Sequence, residues 1–323
     1  MLSLQDTLKI INREIQAIQY PKTPAGLYEP IAYLLTMKGK KLRPAFTLLA
    51  CNLYRDDVEA AICPALAWEI FHNFTLMHDD VMDKAELRRG QPTVHKKWNE
   101  NTAVLSGDAM LILSYTFMAK SLAGNIKPLL DLFSMTATEI CEGQQYDMEF
   151  ERRPDVSEQE YIEMIRLKTA VMFGACLRSG AIIGGANEAD GQNLYDFGIY
   201  LGIAFQIKDD LLDVYGNPDV FGKETGRDIL CNKKTYLLIS ALNSADITDK
   251  AELLKWLACN DRPEEKIVAV RSLYDKLAIP EKTDETIRIF YKKALTALQA
   301  VSVDENRKKV LKNIAEKLME REL

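Results

Sequence analysis

Two short acidic runs constrain this chain more than anything else in it. Asp79-Asp80-Val81-Met82-Asp83 and Asp209-Asp210-Leu211-Leu212-Asp213 repeat one spacing of carboxylates, each inside an apolar stretch of helical period. An unpaired carboxylate in an apolar interior is very costly, so positive charge must meet each cluster. Positions i and i+4 of a helix share a face, which puts Asp79 with Asp83 and Asp209 with Asp213. Asp80 and Asp210 stand about 100° to the side. A single triplet of this kind reads as a solvated helix face. Two matching ones in apolar helices read as ligands for divalent metal held between two helices.

Carboxylates without close His or Cys partners suit a hard cation such as magnesium. Magnesium takes one or two carboxylates, keeps waters, and fills its shell with substrate phosphates, so the pattern predicts a phosphorylated ligand. Cations to meet that ligand are at hand. Gly39-Lys40-Lys41-Leu42-Arg43-Pro44 places three charges at a helix start, where free backbone N–H groups favour anions. Arg88-Arg89-Gly90 follows the first acidic run, and Lys168-Thr169, Lys223 and Lys233-Lys234-Thr235 add more. Taken singly, these have plainer readings. Arg88-Arg89 alone is a surface pair, Lys40 and Arg43 alone are partners of a helix dipole, and His72 alone is a core histidine. His78 and His95 read as structural, and Phe74 as core.

The rest of the chain is consistent with one large all-α domain spanning residues 1–323. It has only 16 Gly and 11 Pro in 323 residues, sparse punctuation that favours long helices. Helical period runs over Leu2–Tyr20, to about Lys38, and over Val58–Lys84, Val94–Ala123, Pro128–Phe150, Ser157–Gly184 and Gln192–Tyr215. Ser157 with Glu160 forms a capping-box pattern. No strand-period segment stands out. The net charge of −6 argues against a nucleic-acid partner. No apolar run reads as a membrane span or a secretory signal. Six scattered cysteines (51, 63, 141, 176, 231, 259), with no Cys-x-x-Cys pair, suit reduced thiols in the cytoplasm.

In order and spacing these motifs resemble the trans-isoprenyl diphosphate synthases, the polyprenyl synthetase family. The resemblance rests on Gly39 to Pro44, on His72 ahead of the first acidic run, and on Arg88-Arg89-Gly90. It continues through Gly143-Gln144-Gln145-Tyr146-Asp147, Lys168-Thr169, Phe205-Gln206-Ile207-Lys208 leading into Asp209, Gly222-Lys223 and Lys233. It implies long, mostly antiparallel helices around a deep central cavity, usually in a homodimer. It implies that Asp79, Asp80 and Asp83 hold magnesium on an allylic diphosphate, with Asp209 completing a three-ion cluster and Asp210 and Asp213 matching the motif. Lys40, Arg43, His72 and Arg89 would hold isopentenyl diphosphate. Arg88, Lys168 and Lys223 would hold the allylic diphosphate, with Lys233 nearby, and Thr169 and Gln206 would face the developing cation.

The resemblance also addresses product length. Five positions before Asp79, about 7.5 Å deeper along the helix, stands Phe74, with Thr75 beside it. A large ring there shortens the cavity in short-product relatives, and an alanine suits long products. The paired aromatics or two-residue insertion of farnesyl synthases are lacking. A C20 (geranylgeranyl) product is expected first and C15 (farnesyl) second. The rivals are a class I terpene cyclase and a catalytically silent subunit of a heteromeric synthase. Cyclases carry an Asn/Ser/Glu pattern as second motif and silent subunits lose acidic residues, whereas both acidic runs here are intact.

Overall fold

The computed structural model describes residues 1–216 and 225–320. Among them, regular structure is helical apart from one two-residue ribbon, as the sequence implies. The chain forms two compact units that alternate along the sequence. Unit 1 comprises Met1–Ser134, Ala175–Tyr195 and Val301–Leu311; unit 2 comprises Met135–Gly174, Asp196–Ala300 and Lys312–Leu323.

Unit 1 opens with α1 (Leu4–Gln16), whose start is fixed by the Ser3 hydroxyl accepting from Asp6 N at 3.1 Å. There follow α2 (Ala25–Thr36), α3 (Leu42–Asn52), α4 (Glu59–Met82), β1 (Leu87–Arg88), β2 (Gln91–Pro92), α5 (Val94–Lys97) and α6 (Glu100–Met118). The apolar run of α4 fills the core with Trp68 and Phe71, which pack on Phe133 at 4.9 and 5.0 Å between ring centres. Trp68 donates its indole N–H to Ser179 at 3.0 Å, so the one polar atom of this ring is satisfied. α6 packs along α4. His78 reaches the Val104 carbonyl at 3.0 Å, tying α4 to α6.

The sequence pattern predicts one helix over 94–123, but the chain breaks after α5. Asn99 adopts an extended conformation and its side chain accepts from Thr102 N at 2.8 Å, capping α6. Similarly, α7 (Ala123–Phe150) starts before Pro128, which therefore lies inside the helix and forfeits only one bond near its start.

The remaining elements are α8 (Glu158–Ile165), a π-helical turn (Arg166–Ala170), α9 (Val171–Gly184), α10 (Glu188–Tyr215), α11 (Arg227–Leu230), α12 (Tyr236–Ser244), α13 (Ile247–Leu257), α14 (Pro263–Lys276), α15 (Ile279–Ala300) and α16 (Glu305–Met319). The Ser157/Glu160 capping box is present at α8. α10 starts four residues earlier than its apolar pattern suggests, because Asn187 caps it by accepting from Asp190 N at 2.8 Å. In unit 2, α12 is buried from Tyr236 to Ala241, and Leu201, Ile207 and Leu211 of α10 are interior. The helical stretch Glu158–Gly184 is long and apolar enough to cross a bilayer by length and composition alone, but 72% of its apolar window is buried inside the protein, as in a core helix.

Candidate active site

The first acidic run ends α4. Asp83 N donates to the Asp79 carbonyl at 2.8 Å, so the helical ladder extends past Met82 and the shared face of Asp79 and Asp83 is retained. Asp79 is half-buried and Asp83 exposed, whereas Asp80, turned to the side, is 2% exposed. Arg88 meets Asp80 with a fork: Nε donates to Oδ2 and Nη2 to Oδ1, both at 2.7 Å. This is the positive partner that a buried carboxylate requires.

Arg88 is placed by the ribbon β1–β2, in which Arg88 pairs with Gln91 across a two-residue turn. Both turn residues, Arg89 and Gly90, have positive φ (52° and 75°), as a type I′ turn demands. Glycine takes this conformation freely; for Arg89 it costs roughly 1 kcal/mol or more. Tyr33 holds the ribbon from α2 by donating to the Pro92 carbonyl at 2.9 Å. The Arg89 guanidinium lies against Gly39, where a Cβ would come within 2.7 Å of Nη1 and push the guanidinium aside. Two-residue strands are too short to show alternation, which is why the ribbon is invisible in the sequence.

Around it sits a dense cationic cluster. Arg43, in the first turn of α3, donates to His72 Nε2 at 3.1 Å. Burial, then the fields of Arg43, Arg89, Arg88 and Lys41, hold the His72 pKa well below its ordinary value. His72 is therefore neutral, and its acceptor nitrogen faces Arg43. Burial also lowers Arg43 to about 10 and lowers Arg89. Beneath them lies Glu69, 2% exposed, paired with buried Lys41 at 3.2 Å. Lys40, the residue before Lys41, is exposed. Phe74 lies edge-on to His78 at 4.8 Å and 5.5 Å from Phe71, while the Thr75 hydroxyl is spent on the His72 carbonyl at 2.8 Å.

In unit 2 the Lys168-Thr169 pair lies on the π turn, a rare local widening that is frequent at functional sites. The two adjacent side chains reach two different helices. Lys168 Nζ meets Asp147 of α7 at 2.6 Å, and the Thr169 hydroxyl donates to Gln206 Oε1 of α10 at 3.2 Å. Gly143 of α7 makes room for the turn, since a Cβ there would lie 2.3 Å from Lys168 N. Gln206 in turn donates to Asp210 at 3.2 Å. Asp210 is 3% exposed and also accepts from the Tyr161 hydroxyl and, at 3.5 Å, from Tyr236 N. Burial pushes its carboxyl up to about 7, with the Asp228 charge adding and Lys233 opposing. Asp213 accepts from Asp228 N at 2.9 Å, and Asp209 is half-buried. Lys233 is exposed; Lys223 and Gly222 lie outside the described residues.

The two motifs thus share one arrangement: the middle carboxylate is buried and fixed by protein donors, and the first is half-exposed. Among the described residues no three His, Cys, Asp or Glu side chains converge tightly enough to hold an ion unaided. An all-carboxylate set without His or Cys fits magnesium, whose shell is completed by water and phosphate. Sequence reasoning missed Glu69 and Tyr161. A lone acid in the apolar run Ala65–Phe71 was the available signal for Glu69; nothing marked Tyr161.

Comparison with known proteins agrees with this geometry. The polyprenyl synthetase family model matches residues 24–277. The chain belongs to the polyprenyl synthetase family. This polyprenyl synthetase is 40% identical over 234 residues to a geranylgeranyl diphosphate synthase of Methanosarcina mazei, covering 71% of this chain and 72% of that one. It is 33% identical over 307 residues to a geranylfarnesyl diphosphate synthase of Aeropyrum pernix, covering 93% and 95%. A crystal structure of a geranylgeranyl pyrophosphate synthase superposes with a TM-score of 0.95 at 42% identity, over all of both chains.

Proposed function

We propose that this chain is a magnesium-dependent prenyltransferase, joining isopentenyl diphosphate head-to-tail to an allylic diphosphate and yielding a trans-polyprenyl diphosphate of C20. One observation carries the reading: an anion pocket adjoins a metal motif. Arg88 grips Asp80, and its neighbour Arg89 turns the other way onto Gly39, within the field of Arg43 and His72. Two adjoining sites of this kind suit a reaction of two diphosphates. A terpene cyclase takes one, and leaves the second pocket without a task.

In this reading Lys40, Arg43, His72 and Arg89 hold isopentenyl diphosphate, with neutral His72 orienting Arg43. Asp79, Asp83 and Asp209 hold the metal, three ions with substrate bound; Asp80, with both oxygens held by Arg88, fixes the first motif, and Asp210 and Asp213 fix the second. Arg88, Lys168, Lys223 and Lys233 draw the allylic diphosphate. Bound magnesium supplies charge neutralisation that makes diphosphate a competent leaving group. The lysines and arginines add to that electrostatic stabilisation from fixed positions. The Thr169 and Gln206 oxygens face the allylic cation, and the apolar walls keep water from trapping it. Fixed placement brings the isopentenyl double bond within reach, and the departing diphosphate takes the proton that restores the alkene.

Relatives named as geranylgeranyl and geranylfarnesyl synthases support C20 over C15 and make C25 the next candidate. We read the two units as one functional domain, since the family match spans both. The exposed apolar stripe Leu105–Ile112 of α6 supports a homodimer, and six free thiols support a cytoplasmic setting. The test is incubation of the purified single chain with labelled isopentenyl diphosphate, each allylic starter and magnesium. A labelled C20 diphosphate is expected. A hydrocarbon without label would mean a cyclase, and an inert chain a silent subunit.

A further inference from the structure

Glu69 has no part in the reaction as described, yet it occupies the centre of the cationic cluster in unit 1. Its Oε1 accepts from Lys41 at 3.2 Å and from the Asn73 amide at 3.1 Å, and it is 2% exposed. Lys41 is itself buried; its ammonium donates to this carboxylate and to the Leu35 carbonyl at 3.2 Å. Lys41 is the left-handed residue (φ 45°) at the N-cap of α3, two positions before Arg43 in its first turn. The Glu69 charge also acts favourably on Arg43 and on Arg89. Of the two buried acids beside these cations, Asp80 pairs with Arg88 and Glu69 pairs with Lys41. Glu69 is also a nearby counter-charge for Arg43 and Arg89.

We propose that Glu69 is a positioning residue, a built-in counter-anion that keeps Lys41, Arg43 and Arg89 assembled until a substrate diphosphate arrives to take over the charge balance. The inference rests on the diphosphate reading of this pocket. Like charges gathered close together repel one another, and removing the acid beside them leaves buried Lys41 uncompensated and the half-buried Arg43 less favourably placed. An anion bound above the cluster supplies the same compensation from the other side. Glu69 thus acts through the cations and touches no substrate.

The test compares thermal unfolding of the wild type, Glu69→Gln and Asp190→Asn, each with and without inorganic pyrophosphate and without magnesium. Glutamine keeps the shape and the hydrogen bonds but loses the charge. Asp190 is a buried acid of the same unit, bonded to Tyr54 and Ser302, whose loss is purely structural. Without pyrophosphate both variants should melt lower than the wild type, Glu69→Gln by about 3–6 °C. Saturating pyrophosphate should close most of the Glu69→Gln deficit and leave that of Asp190→Asn unchanged. Glu69→Asp, which keeps the charge, should recover most of the loss and serves in its place if the glutamine variant does not fold. A Glu69→Gln deficit that pyrophosphate leaves intact, or a Glu69→Asp variant no better than glutamine, overturns the proposal. If the wild type itself gains nothing from pyrophosphate, the diphosphate reading of the pocket fails and takes this inference with it.

Discussion

Arg88 grips Asp80 by both carboxylate oxygens, at 2.7 Å each. The middle acid of the first motif is thereby locked in place, and the half-exposed Asp79 and exposed Asp83 remain on the open face of the helix. Tyr161 and Gln206 do the same for Asp210 in the second motif. In both motifs, protein donors fix one carboxylate and so set the direction of its neighbours.

Lysine in place of Arg88 keeps the charge but cannot form the fork. Arg88→Lys should lower kcat/KM for the allylic diphosphate roughly 10- to 100-fold, about 1.4–2.7 kcal/mol of transition-state stabilisation. The KM for isopentenyl diphosphate should stay within about twofold. Steady-state kinetics with each substrate varied in turn decides this, and equal effects on both substrates would deny Arg88 its selective role.

Gly143→Ala tests the π turn. The added Cβ would lie 2.3 Å from Lys168 N, backbone that cannot swing away. Overpacking of this kind costs about 1–3 kcal/mol. Both the melting temperature and kcat should fall, with Lys168 and Thr169 displaced together. Wild-type turnover in the alanine variant would show that the turn's placement is not critical.

Phe74→Ala should lengthen the product beyond C20, because the ring that packs between Phe71 and His78 is removed. Fully buried Phe71 then forms the next floor, so C25 and C30 species are expected to accumulate. Chromatographic sizing of dephosphorylated products reads this directly. An unchanged distribution removes Phe74 as the determinant.

His72 gives the fold a pH dependence of known sign. Its folded pKa lies below the ordinary 6.5, so below that pH the unfolded chain binds the proton more readily and stability falls as pH falls. His72→Gln retains an acceptor for Arg43 and does not titrate. Its melting temperature should fall less than that of the wild type between about pH 7 and about pH 5. Parallel curves would show that His72 is not the titrating group.

Much of the site was readable because its chemistry violates the pattern around it. Aspartates in apolar helices, and arginines beside them, announce themselves. Helix periodicity sets Asp80 apart from Asp79 and Asp83, and of these three Asp80 is the buried one. What stayed hidden depends on tertiary contact. The β-ribbon is too short for any period, the α5–α6 break turns on a single capping Asn99, and the π turn at Lys168 is made possible by Gly143 on another helix. Tyr161 looks like any core aromatic until Asp210 is found at its hydroxyl.

The proposed function requires both acidic motifs for the departure of a diphosphate. The most direct measurement is a double-mutant cycle on kcat, with Asp79→Ala, Asp209→Ala and the pair, at saturating magnesium and substrates. Groups that act as a unit are strongly non-additive. Each single change should cost roughly 10²-fold or more, and the double should lie within about tenfold of the worse single. Losses that multiply fully, or near-normal turnover in either single variant, would contradict the account.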